Sequence, residues 1–197
     1  MSQSTRVDAT ANFSAQVSAV GGHFASVPTL TQASEYIGDL ASVSGAKRVV
    51  VFPPELASLL FTGRPSLPFV VASSANMTRE SFFEALQSAQ IGVSPAHLGI
   101  AETGTLVIVT SEESHRLVTA LPETHVAILP RSKLVASLDQ AQQYVSESLT
   151  NNPGAITISL ISASSRTSDV GGISIVGVHG PKELHVLLLD EELPGAP

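Results

Sequence analysis

Cysteine and tryptophan are absent from all 197 residues. Without cysteine the chain has no disulfide framework, no thiol nucleophile, no thiolate-held zinc and no thiolate-held iron–sulfur cluster of its own. Aromatic residues make up only 5% of the chain, so a core has to be built from Val, Ile, Leu and Ala. Basic residues are also scarce: 10 Lys and Arg stand against 17 Asp and Glu, giving a net charge of −7. The few cations are scattered, which argues against the basic footprint that binding nucleic acid or an anionic membrane requires. No apolar run approaches the roughly 20 residues of a spanning helix. The segment Met1–Thr10 is polar and lacks the apolar stretch of a signal peptide, so a cytoplasmic location is expected. Walker, GxGxxG and HExxH patterns are missing too, and no metal is expected from histidine spacing.

What is present is 43% hydrophobic residues and 14% charged ones, enough for a sizeable core. Short β-branched runs alternate with Ala- and Leu-rich helical stretches. Strands are expected at residues 47–52, 67–72, 91–93, 98–101, 104–110, 125–129, 155–161 and 184–189. Helices are expected between them: Thr31 and Thr78 read as caps, Pro53-Pro54 as a helix start, and Ser137 as the start of another. This alternation predicts an α/β domain, a mostly parallel sheet with helices on both faces. Residues 1–30 read as an N-terminal arm with a weak helix ending at Gly21-Gly22, and residues 31–197 as the domain proper.

Three polar constellations stand beside strand ends, where open α/β sheets collect ligands. In Ile100-Ala101-Glu102-Thr103-Gly104-Thr105 a carboxylate lies between apolar strands. Desolvation there would raise its pKa and suit it to acid/base catalysis, with hydroxyls from Thr103 and Thr105 and close backbone approach at Gly104. The same residues also fit a hairpin turn with a solvated Glu102. In Ser162–Asp169, Ser165, Arg166, Thr167 and Asp169 combine hydroxyls, a guanidinium and a carboxylate, which suits an anion; an ordinary Ser-rich loop is the alternative. In Val178-His179-Gly180-Pro181, His179 suits proton transfer, or the segment is a turn in which His179 bonds a carbonyl.

Taken in order, Gly99–Leu106, Pro130-Arg131-Ser132, Ser165-Arg166-Thr167 with Asp169, and Gly177–Pro181 resemble the lactate-utilization (LUD) domain family, with Val20-Gly21-Gly22 fitting upstream. The resemblance implies a fold similar to the sugar-phosphate isomerase and CoA-transferase superfamily. It also implies a subunit of an L-lactate utilization system that binds a small carboxylate or phosphate, a partner, or both. Oxidation to pyruvate would then fall to iron–sulfur partner proteins, with no cofactor in this chain. Where the family often has Asp, Gly-Pro and Glu, this chain has His97, Ala163-Ser164 and Gly171. Two other readings remain open: a stand-alone acyl- or CoA-transferase-like enzyme using Glu102, since Glu102-Thr103-Gly104 is similar to the Glu-Asn-Gly turn of those enzymes, and a regulatory binding module without turnover.

Overall fold

The structure, a computed structural model, describes residues 3–64, 66–151, 156–168, 174–177 and 179–194. The chain begins with helix α1 (Gln3–Ala19), strand β1 (His23–Val27), α2 (Leu30–Ser44), β2 (Arg48–Val51), α3 (Pro54–Phe61), β3 (Val70–Ala72) and α4 (Arg79–Gln87). It continues through β4 (Ile91–Pro95), β5 (Leu98–Ile100), β6 (Thr105–Thr110), α5 (Glu113–Ala120), β7 (Thr124–Pro130), β8 (Leu134–Val135) and α6 (Leu138–Asn151). It closes with β9 (Thr157–Ile161), the hairpin β10 (Arg166–Ser168) and β11 (Ser174–Val176), and β12 (Glu183–Leu189).

Six strands form an all-parallel sheet in the order β1-β12-β7-β4-β2-β3. Its side chains alternate between faces with period two, as strand geometry demands. In β12, Leu187 and Leu189 join the core under α2 and α3, with Val49, Val51, Val126, Ile128 and Ile37. Leu184, Val186 and Leu188 point the other way, onto Phe13 and Val17 of α1. Val50 packs instead on Phe82 and Leu86 of α4. Helices thus cover both faces of a parallel α/β sheet, as the alternating pattern predicts. Local signals work as physical chemistry predicts: Thr78 Oγ1 accepts from Ser81 N at 3.2 Å, and Pro54 sits in the first turn of α3. The α2 cap is Thr29 rather than Thr31, and Gly45 closes that helix in the left-handed conformation.

Two features differ from the sequence reading. The stretch expected as an arm supplies α1 and β1. Phe13 and Val17 are fully buried, and β1 is an edge strand paired along β12. Its sequence His-Phe-Ala-Ser-Val has no β-branched run, so only the pairing makes it a strand. Second, a separate four-stranded sheet, β8-β5-β6-β9, mixes parallel and antiparallel pairing. The chain enters it twice from the carboxyl edge of the main sheet, from β4 into β5 and from β7 into β8. This small sheet packs Leu98, Ile100 and Val107 on Ala141, Tyr144 and Val145 of α6. Within Ser162–Asp169, Arg166–Ser168 forms β10, which pairs antiparallel with β11.

Candidate functional site

The crossover from main sheet to small sheet creates a cleft. β4 ends at Pro95, and Ala96 N is held by Ile128 O at 2.8 Å. His97 then enters the small sheet through its N–H, which bonds Val107 O at 2.9 Å. Between this crossover, the end of β2 and the start of α5 lies a cavity of about 410 Å³. Its polar lining includes His97, His115, Lys133, Tyr144, Thr110 and Glu112, and its apolar wall includes Phe52 and Leu56. It lies at the carboxyl ends of the parallel strands, where a change of connection opens room for a ligand.

Three histidines run inward from this cleft. Val109 N donates to His97 Nδ1 at 3.2 Å, so the neutral ring carries its proton on Nε2. The His97 and His115 ring centroids are 6.1 Å apart, and His115 packs against Phe52 at 5.1 Å. Deeper still, His125 Nε2 pairs with Ser94 Oγ at 3.0 Å. Burial, with the Lys133 charge nearby, pushes His97 down to about 4. Burial and then His97 push His115 down to about 4, and burial and then His115 push His125 down to about 3. All three rings are therefore neutral near pH 7. His115 Nε2 and His125 Nδ1 are buried with no hydrogen-bond partner among the described residues. An orphaned buried nitrogen costs free energy; the His115 ring lines the cleft, whereas His125 lies behind it in the core.

The motif residues read from the sequence gather elsewhere, around the carboxyl end of α1. Gly104 has φ +66°, and a Cβ there would stand 2.8 Å from Val17 N, so the turn meets helix backbone at this glycine. Thr103 Oγ1 donates to Thr105 Oγ1 at 2.7 Å, and Thr105 Oγ1 pairs with Ser162 Oγ at 2.8 Å. Arg166 Nη2 donates to Val20 O at 2.9 Å, past Gly21 at φ +81°; a cation here complements the negative end of the helix dipole. Ser165 N donates to Pro181 O and Gly177 N to Ser165 O, both at 2.8 Å, which brings Gly180 beside Ser165. His179 is exposed; the Thr167 backbone lies in β10, and Asp169 lies outside the described residues.

Glu102 has the solvated surroundings of the turn reading, not the desolvated ones of the acid/base reading. It is exposed on the turn between β5 and β6, and its Oε2 accepts from Leu138 N at 3.1 Å, at the start of α6. The flanking strands turn their apolar side chains into the cores, so they do not wall the carboxylate in. No ion pair joins Glu102 to Arg166 among the described residues. The Pro130-Arg131-Ser132 segment forms a clamp: Arg131 reaches Asp190 Oδ1 at 2.5 Å, Ser26 Oγ at 2.7 Å and Thr10 Oγ1 at 3.0 Å.

The sequence profile of the LUD domain family matches residues 10–189. The chain belongs to the LUD domain family. Among curated relatives, lactate utilization protein C of Geobacillus thermodenitrificans is 32% identical over 111 residues, covering 54% of this chain and 45% of that protein. The protein of the same name from Shouchella clausii is 29% identical over 152 residues, covering 75% and 65%. That of Bacillus subtilis is 32% identical over 106 residues, covering 53% and 44%. The matches thus take in about half to two thirds of these relatives' length. A crystal structure of a DUF162 family protein from Deinococcus radiodurans shares the fold, with TM-score 0.63, 21% identity, and coverage of 93% of this chain and 98% of that one.

The cleft histidines of this LUD domain were missed from sequence because their meeting depends on the crossover into the second sheet. The one available signal was His97, standing where the family often has Asp. Among the described residues, one further group gathers metal-ligating atoms: His23, Glu183 and His185. It joins strands 160 positions apart in sequence, which no spacing rule detects. No helix among the described residues is long and apolar enough to cross a membrane.

Proposed function

We propose that this LUD domain is a component of an L-lactate utilization system that binds a small carboxylate, lactate or pyruvate, in the cleft between its two sheets. The observation that carries the reading is the buried, unpartnered His115 Nε2 in a cleft that Lys133 also lines. Lys133 supplies the charge for a carboxylate. The neutral rings of His97 and His115 supply uncharged hydrogen bonds for a hydroxyl or ketone, and Tyr144 also lines the cleft. The relatives named lactate utilization protein C support the metabolic setting. Because these 197 residues contain no cysteine, the electrons of lactate oxidation pass in this reading to iron–sulfur partner proteins.

The test is calorimetry of L-lactate and pyruvate with the wild-type chain and with Lys133→Ala, alongside growth on lactate of Bacillus subtilis lacking its own lactate utilization protein C. Binding that weakens in the variant, and growth restored by the wild-type gene, are the expected results. Binding of neither acid would end the reading. The anion pocket expected at Arg166 is the rival position for the same ligand. The transferase reading keeps one feature, an exposed Glu102 carboxylate; acyl exchange from a CoA thioester that stops in Glu102→Gln would establish it.

A further inference from the structure

A second polar group lies at the opposite, amino-terminal edge of the main sheet, on the face covered by α2. His23 opens β1 and is the register partner of His185 on β12. Glu183, two residues before His185, projects to the same side. The rings of His23 and His185 stack with centroids 4.3 Å apart and planes 19° from parallel. One ligand atom from each of His23, Glu183 and His185 falls within 4.8 Å of the others. His185 is buried, while His23 and Glu183 are exposed, so the group opens to solvent on one side.

Two details give this group the form of a coordination site rather than of an ion pair. Tyr36 Oη on α2 lies 2.8 Å from His185 Nδ1, so the ring is anchored from behind, with its Nε2 toward Glu183 and its face against the His23 ring. Metal-bound histidines ordinarily have their second nitrogen anchored in this way. The His185 Nε2 to Glu183 Oε2 distance is 3.4 Å, long for a charge-assisted hydrogen bond. It matches the edge of a tetrahedron around zinc, about 3.3–3.5 Å for metal–ligand distances of about 2.0–2.1 Å.

We propose that His23 and His185, with Glu183, form a divalent transition-metal site, with zinc as the fitting ion. Two imidazoles and a carboxylate occupy three tetrahedral positions, and the solvent-facing side leaves the fourth to water. The site ties edge strand β1 to β12 and is separate from the cleft at the carboxyl edge. His23 and Glu183 are the two exposed side chains of the group, so they are the ones with room to turn toward an ion.

The test is a calorimetric titration of Zn²⁺ into the full chain, stripped of metal beforehand, with Co²⁺ absorption as the second readout. One ion per chain and a tetrahedral Co²⁺ spectrum are expected. His23→Asn and Glu183→Gln, both at exposed positions, should each weaken binding more than about tenfold, and Tyr36→Phe by about tenfold through the lost anchor. A wild-type chain that takes up no Zn²⁺ overturns the proposal. So does uptake that persists unchanged in His23→Asn but disappears in His115→Asn, which would move the ion to the cleft.

Discussion

The two edges of the parallel sheet handle polar groups in opposite ways. Around the end of α1, beside the amino edge, they pair within the protein: Arg166 with Val20 O, Ser165 with the turn before β12, and the Thr103-Thr105-Ser162 hydroxyls with one another. At the carboxyl edge the cleft-lining His115 keeps a ring nitrogen unpaired among the described residues, and burial keeps it, His97 and the deeper His125 neutral. The first arrangement holds an edge of the fold together. The second stores unmet hydrogen-bonding capacity where a ligand can use it.

The largest effect that can sharpen this contrast is acid sensitivity. Burial holds His97, His115 and His125 down to about 4, 4 and 3 in the folded chain, below the ordinary histidine value of 6.5. Between these values the unfolded chain binds more protons, so stability rises with pH across that window. The contribution is complete above about pH 6.5 and is lost as pH falls toward 4. Each group adds a slope of up to about 1.4 kcal/mol per pH unit, or several kcal/mol together. Urea unfolding from pH 7 to 4.5 measures it. His125→Asn should flatten the slope by one proton, and an unchanged slope would show that the buried histidine is not neutral.

Next in size is the amino edge. Phe13 on α1 is fully buried and meets Phe24 edge to face, with centroids 6.0 Å apart. Phe13→Ala should cost about 3–5 kcal/mol in urea unfolding, with carboxylate affinity at the cleft unchanged in the protein that remains folded. A loss under about 1 kcal/mol would mean that α1 is not docked as described.

Smaller, but decisive for the comparison, is the pair Lys133→Ala and Arg166→Ala. If the carboxylate sits in the cleft, Lys133→Ala weakens pyruvate binding by about tenfold, in line with a charged hydrogen bond of about 1.5–3 kcal/mol. It should leave the melting temperature near wild type. Arg166→Ala should do the reverse, loosening α1 while leaving affinity alone. The opposite outcome in calorimetry would transfer the ligand to the motif cluster and reduce the cleft to a packing defect.

Much of the main sheet was legible in the sequence because β2, β4, β7 and β12 are buried on both faces and read as continuous apolar runs. Pro54 and Thr78 marked their helices through local chemistry that tertiary context did not override. Strand β1 escaped notice because its neighbour β12 lies at the other end of the chain. The order of β8-β5-β6-β9 was hidden for the same reason. The cleft depends on the crossover at Ala96-His97, and the histidine–glutamate group on register between β1 and β12. Both are long-range facts with no local pattern. The motif loops were found readily because Gly, Ser and Thr mark tight turns, and the structure attaches several of those turns to α1.

The smallest effect concerns Glu102, on which the two edges can be separated from a third possibility. Its carboxylate accepts from Leu138 N at the start of α6, 36 residues ahead in sequence. The first N–H groups of a helix have no partner within it, and a negative charge there also meets the positive end of the dipole. Glu102→Gln keeps an acceptor but removes the charge, so about 0.3–1 kcal/mol of stability should be lost. Glu102→Ala removes both and should cost about 0.5–2 kcal/mol, as losing a helix cap does. Urea midpoints of the two variants, compared at low and high salt, separate charge from hydrogen bond, because salt screens only the dipole term. A helix-capping Glu102 predicts this graded loss with carboxylate binding intact. A catalytic Glu102 predicts unchanged midpoints in both variants and abolished turnover in each, and that pattern would return the chemistry of this domain to the turn between β5 and β6.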